Sequence, residues 1–231
     1  MTSKSDKYQD EIGHIRGEHM KGLVLNNIYT VEKSIKSSMV LASATVLLLL
    51  FTQHAIAFRV AILLPFALIP VHAFEVLKHD SKSGWSKFEI TLPVNRQKII
   101  RSKYITFLLL LLLSTILTFL LFYAANIFIQ PSFTIVFFNF LLRGMGIILC
   151  IATLNYPLTF LLGTEKSDAI QIYSIGFALG VFGLMSLLVM MVIGPVKSYD
   201  QIFSMSFLLI SMLLFLFSYV VSNRIYKHKE F

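Results

Sequence analysis

The stretch Met39-Val-Leu-Ala-Ser-Ala-Thr-Val-Leu-Leu-Leu-Leu-Phe51-Thr52-Gln53-His54-Ala-Ile-Ala-Phe-Arg59-Val-Ala-Ile-Leu-Leu-Pro65 decides how this chain folds. Two apolar runs meet at Thr52, Gln53 and His54, and together they are far too long for one helix across a membrane. About 20 helical residues cross a hydrocarbon core of about 30 Å. The pattern therefore predicts a tight helical hairpin with spans near residues 37–53 and 57–77. Four more runs of crossing length follow near 104–128, 133–160, 170–193 and 202–221. Gln130-Pro131 separates the third run from the fourth, and Gly194-Pro195 ends the fifth.

Composition points the same way. Of 231 residues, 56% are hydrophobic and 14% charged, against about 45–50% and about 25% in a soluble domain. Six spans use roughly 120 residues, and no remaining stretch is long enough for a soluble domain of ordinary size. The expected class is an all-α membrane protein with a six-span domain over residues 37–222. A polar leader (1–19) and an amphipathic segment (20–36) precede it, and a basic tail (223–231) follows. Cys150, the one cysteine, excludes an intrachain disulfide.

The net charge of +8 reads as topology rather than as a nucleic-acid surface. Lys4, Lys7, Arg16, Lys21, Lys33 and Lys36 precede the first span; Lys78, Lys82, Lys87, Arg96, Lys98, Arg101 and Lys103 fill the loop 78–103; Lys166, Arg224, Lys227 and Lys229 complete the same side. The other side holds Arg59 and Lys197, and Arg143 falls inside the fourth span. Because cytoplasmic loops collect Lys and Arg, both termini are expected in the cytoplasm.

Between Leu23 and Ile35, Val24, Ile28, Val31 and Ile35 recur at helical steps, with Asn26, Asn27, Lys33 and Lys36 facing away. The stripe reads either as an amphipathic helix in the headgroup plane or as an extension of the first span. In the loop 78–103, Ser83 can cap a short helix with Trp85, Phe88 and Leu92 on its apolar face. Pro93 stops it, and Asn95 can cap a second helix exposing Arg96, Lys98, Arg101 and Lys103. Aromatic residues beside a basic rim suit protein docking; the alternative is a loop bound to lipid headgroups. Gly176, Gly180 and Gly183 give the fifth span a small-residue face, for a dimer contact or for packing within one subunit. Arg143, about eleven residues into the fourth span and so near the bilayer midplane, is costly there. It reads as bordering a translocation path or as making a structural hydrogen bond, with Arg59 and Glu75 at opposite ends of the second span.

Enzyme signatures are missing from the sequence. There is no Gly-x4-Gly-Lys-Ser/Thr phosphate loop and no Gly-x-Ser-x-Gly elbow. His14-Ile-Arg-Gly-Glu18-His19 has one residue too many for the inverted zinc motif. His72, Glu75 and His79 can share a helix face, but as interfacial polar residues rather than metal ligands. No catalytic or metal site is expected on this chain.

The loop resembles the signature of permeases in type-2 ATP-binding-cassette (ABC) exporters, in which Gly-Trp-x-Lys-Phe is followed by Leu-Pro-Val-x-Arg-x-x-Ile/Val-x-x-Lys-Tyr. Gly84, Trp85, Lys87, Phe88, Leu92, Pro93, Val94, Arg96, Ile99 or Ile100, Lys103 and Tyr104 match it. Met20-Lys-Gly-Leu-Val-Leu-Asn-Asn-Ile-Tyr29 is similar to the family's opening, with Asn27 where an acidic residue is common. Pro157-Leu-Thr-Phe-Leu-Leu-Gly163-Thr-Glu165-Lys166 is similar to its Pro…Phe-Gly-x-Glu-Lys turn, with Leu162 for Phe. Within the family the pattern is similar to staphylococcal permeases that export phenol-soluble modulins. The resemblance implies a bacterial plasma-membrane permease, paired as two copies with a separate cytoplasmic ATPase that binds ATP and Mg. Residues 85–92, with Arg96 and Lys98 behind them, would form the coupling helix. The implied substrate is an amphipathic peptide, met in the cytoplasm or in membrane lipid.

The charge bias makes a direct prediction. In a Cys150→Ser background, single cysteines at Gly84 and His228 will resist a membrane-impermeant maleimide added to intact cells and react once the cells are opened.

Overall fold

The computed structural model describes residues 4–52, 54–85, 88, 95–128, 135–192 and 200–227, with side chains from Met20 onward other than 55 and 125–128. The described residues are helical, without strands: α1 Lys4–Phe51, α2 Ala55–Leu68, α3 His72–Lys82, α4 Arg96–Phe128, α5 Ile135–Leu162, a 3-10 turn Thr164–Lys166, α6 Ser167–Val192 and α7 Asp200–Lys227. Six segments are long and apolar enough to cross a membrane: Met20–Phe51, Ile56–Lys82, Arg96–Ala124, Ile135–Leu162, Thr164–Val192 and Asp200–Lys227. The start of α4 and the end of α7 lie together, with Arg96 reaching the Lys227 carbonyl, and the end of the bundle they share is here called the basic face.

The hairpin between α1 and α2 forms because α1 ends in a turn, with Thr52 N–H donating to the Leu49 carbonyl at 3.3 Å, and α2 restarts after an extended His54. Residues 20–36 continue into the first span without a break, so the fold adopts the extension rather than a separate helix in the headgroup plane. The 32 residues of Met20–Phe51 make a rod of about 48 Å, longer than the hydrocarbon core, and its first turns pack on the start of α4 through Asn27. The same helix also takes in residues 4–19, expected only as a polar leader.

The second span departs from the expected single helix: α2 and α3 are separated at Ile69, Pro70 and Val71. Pro70 has no N–H, and its ring crowds the carbonyl four residues back. The chain bridges the break with short turns, His72 N–H to Ile69 O at 3.3 Å and Ala73 N–H to Pro70 O at 3.0 Å. At the far end of α5, Gly163 has φ 85° and ψ 167°, a conformation open in practice only to glycine. It swings the chain into the 3-10 turn and α6.

The most extensive helix contact is α5 on α7. Lipid tails are as apolar as leucine, so helices in a bilayer associate through small residues and close van der Waals contact. Ser204, Ser211, Ser218 and Ser222 lie buried along α7, and Cys150 Sγ on α5 is 3.2 Å from Ser211 Oγ. Toward the basic face the core is aromatic: Tyr104 stacks on Tyr156 at 4.5 Å, and Phe74, Phe107 and Phe215 close around them. By contrast, α6 leans chiefly on α5 and leaves most of its side exposed, including Ile172, Tyr173, Leu179 and Leu184.

Gly146 shows how tight the α5–α7 contact is. A Cβ there would sit 2.5 Å from the Phe207 ring and 3.3 Å from Ser211 Oγ, whereas at Gly180 it would meet nothing within 4 Å. Gly146→Ala will therefore lower the thermal midpoint of the detergent-solubilised protein, by a destabilisation of about 1–3 kcal/mol. Gly180→Ala will leave the midpoint of the isolated subunit unchanged.

Candidate functional site

Three constellations of polar side chains emerge from the bundle: two toward the basic face and one at the opposite end.

The first centres on Lys103, near the start of α4. Its neighbours Ile99, Ile100, Tyr104 and Phe107 are buried at helical spacing, so the position falls on the core face, not among the exposed cations where the sequence reading put it. Lys103 is 3% exposed, Asp80 on α3 is 4% and Asn27 on α1 is 1%. The Lys103 ammonium donates to an Asp80 carboxylate oxygen and, at 2.7 Å, to Asn27 Oδ1. Asn27 Nδ2 donates to Thr106 Oγ1 at 3.1 Å and Ser102 Oγ at 3.4 Å. The Lys103 carbonyl in turn accepts the Tyr156 hydroxyl of α5 at 3.2 Å. The next residue, Tyr104, shares its hydroxyl with Ser218 and Ser222 of α7, both at 2.8 Å. Around this network the buried row of α1 is Leu23, Asn27, Val31 and Ile35, with Val24 and Ile28 half-buried. Asn27, read from sequence as outward-facing, is thus the inward polar member of the stripe.

Above it His72 joins α1 to α3: Nε2 lies 2.7 Å from Ser38 Oγ and Nδ1 lies 2.7 Å from a Glu75 oxygen. His79 points away and is exposed. Among the described residues no His, Cys, Asp or Glu cluster is arranged to hold a metal. Lys78 pairs with Asp168 at 2.5 Å, tying α3 to the start of α6.

The second constellation is the segment after α3. Gly84 has φ 73°, a left-handed turn that suits glycine, and Trp85 N–H donates to Ser83 Oγ at 3.4 Å. Trp85 and Phe88 lie together with ring centres 5.2 Å apart. Phe88 is 53% exposed and Trp85 is half-buried. Asn95 Oδ1 accepts the Gln97 N–H at 3.1 Å, the cap expected for the next helix, which runs directly into the third span. Arg96 reaches the Lys227 carbonyl of α7 at 3.4 Å, and Lys98 is half-exposed. Lys87, Leu92 and Pro93 lie outside the described residues.

The third lies at the opposite end. Arg143 is the ninth residue of α5, about 12 Å along the helix from its start, and its side chain reaches the first residue of α7. Its NH2 group donates to Asp200, the first residue of α7, and Asn139 Nδ2 donates to the other Asp200 oxygen at 2.7 Å. Phe140 and Phe203 both face the Arg143 guanidinium, at 5.3 and 5.0 Å. Arg59 from α2 stands over the same Phe140 ring at 5.3 Å, so of the two second-span charges weighed as neighbours it is Arg59 that approaches Arg143. A Cβ added at Gly176, Gly180 or Gly183 would meet nothing within 4 Å among the described residues.

The network members missed in the sequence left faint signals. Lys103 sits in phase with Ile99, Ile100 and Phe107, and Asp200 is the carboxylate nearest the fourth-span arginine when spans four and six run side by side.

A family model described as ABC-2 family transporter protein matches residues 22–227. No curated protein and no solved structure gives a significant match.

Removing one member of a buried ion pair strands the other charge, at a cost of about 3–5 kcal/mol. Lys103→Met and Asp80→Asn will each sharply lower thermal stability in detergent. The double variant will regain a large part of the loss, because no charge is then left buried; the two midpoints and their coupling measure this directly.

Proposed function

Because this chain belongs to the ABC-2 family of transporters as a permease subunit, we propose that it exports amphipathic molecules, with peptides of the phenol-soluble modulin type as the favoured class, using energy from a separate ATPase. The observation that carries the coupling reading is the exposed Phe88 beside Trp85, on a glycine turn between the second and third spans. Large aromatics make strong interface anchors. Arg96 and Lys98 follow them as a polar rim. On this reading the basic face is cytoplasmic, with both termini there, and ATP and Mg act on the partner chain.

The network around Lys103 gives the docking element a rigid mount. Through Asp80, Asn27 and Tyr156 the network joins α3, the helix that leads to Trp85, to α4, α1 and α5. A second permease copy would cover the open face of α6 at Gly176, Gly180 and Gly183. Arg143, held by Asp200 between two phenyl rings, would border the translocation path at the end away from the ATPase.

The decisive experiment is the double variant Trp85→Ala with Phe88→Ala. Both residues lie outside the apolar spans, so insertion and yield should match the parent chain. Copurification of the ATPase and stimulation of its turnover by amphipathic peptide should both fall to background. Wild-type ATPase binding in that variant would refute the docking assignment.

A further inference from the structure

The end of the bundle opposite the basic face carries an uncompensated cation. Two guanidinium groups, Arg59 and Arg143, lie against one phenyl ring, each 5.3 Å from the Phe140 centre, so at most twice that distance separates them. One carboxylate, Asp200, pairs with Arg143. None of the ion pairs among the described residues uses Arg59, which is exposed. Arg143 itself is 9% exposed, yet its Nε is buried without a hydrogen-bond acceptor. A buried unpaired donor of a charged group is costly, and an arginine fork suits bidentate binding of phosphate.

Depth identifies the anion. Arg59 is the fifth residue of α2, about 6 Å from the helix start, at the level where the hydrocarbon gives way to headgroups. Its long side chain can reach that layer while its stem stays in the apolar region. We propose that Arg59 and the free Nε–H of Arg143 form a binding site for the phosphodiester of a phospholipid headgroup, with Phe140 as the floor between the two cations and Asp200 holding Arg143 in place. The site lies away from the coupling segment; it shares Arg143 with the border of the proposed translocation path, and its test reads binding rather than transport.

The test titrates the purified full-length protein, in neutral detergent, with dihexanoyl phosphatidylglycerol below its micellar concentration and follows the thermal midpoint. Arg59→Gln should raise the half-saturating concentration about tenfold, the effect of losing one charge-assisted hydrogen bond. Arg59→Lys, which keeps the charge but loses the planar fork, should fall between the two. Lys33→Gln, which removes a cation near the basic face, should leave the titration unchanged. An unchanged titration for Arg59→Gln, or an equal change for Lys33→Gln, would overturn the site. Inorganic phosphate stabilising the parent protein as well as the lipid does, at equal concentration, would overturn the lipid as its ligand.

Discussion

An ammonium group cannot stay charged in a protein interior embedded in lipid unless its bonds are met, and much of this structure is arranged around meeting those of Lys103. Asp80 supplies the countercharge and Asn27 a second acceptor. These come from helices far apart in sequence, so the pairing is satisfied only when α1, α3 and α4 share one register. Tyr156 and Tyr104 extend the constraint to α5 and α7 through hydroxyl bonds. The break at Pro70 serves the same arrangement, because it begins a new helix whose inner face presents both His72 and Asp80 to α1 and α4.

Hydrophobic burial alone could not impose that register. In a bilayer an apolar side chain gains little by exchanging lipid for protein, so leucine-rich faces slide and rotate at low cost. Orientation comes instead from polar pairs and from positions where only a small residue fits. The bundle has both kinds: the lysine network toward one end, the Arg143–Asp200 pair toward the other, and Gly146 with the buried serines of α7 between them. The helix lacking such fasteners along most of its length is α6. Apart from its Lys78–Asp168 tie, its packing on α5 and the Phe182 contacts with Phe203 and Phe207 of α7, it presents an open glycine face and apolar side chains outward.

Several features were legible in the chain itself. The number of spans and the hairpin at Thr52-Gln53-His54 follow from run length, since a fixed hydrocarbon thickness demands a fixed number of helical residues. Asn95 announces its cap, because an N-cap is a local backbone requirement that names its residue type. The segment Gly84 to Tyr104 was singled out from sequence for its aromatics beside a proline and a row of cations. In the structure its two ends serve different purposes: Phe88 is exposed beside a half-buried Trp85, while Lys103 and Tyr104 are core.

Pairing was decided only by the tertiary structure. A helical period shows that Lys103 shares a face with Ile99 and Phe107, but not that the face meets Asp80 and Asn27. Counting cations by loop assigns Lys103 to a surface, because such counting treats each charge as hydrated and ignores a partner 23 or 76 residues away. Val24 and Ile28 formed a plausible apolar stripe, yet α1 turns so that Leu23 and Asn27 point inward with Val31 and Ile35, where Asn27 meets Lys103 and Thr106. Arg143 looked stranded for the same reason. Sequence determined which segments lie in the membrane, because that depends on composition and length; the three-dimensional packing decided which polar atoms meet, because a hydrogen bond depends on distance and direction between helices that the linear order does not specify.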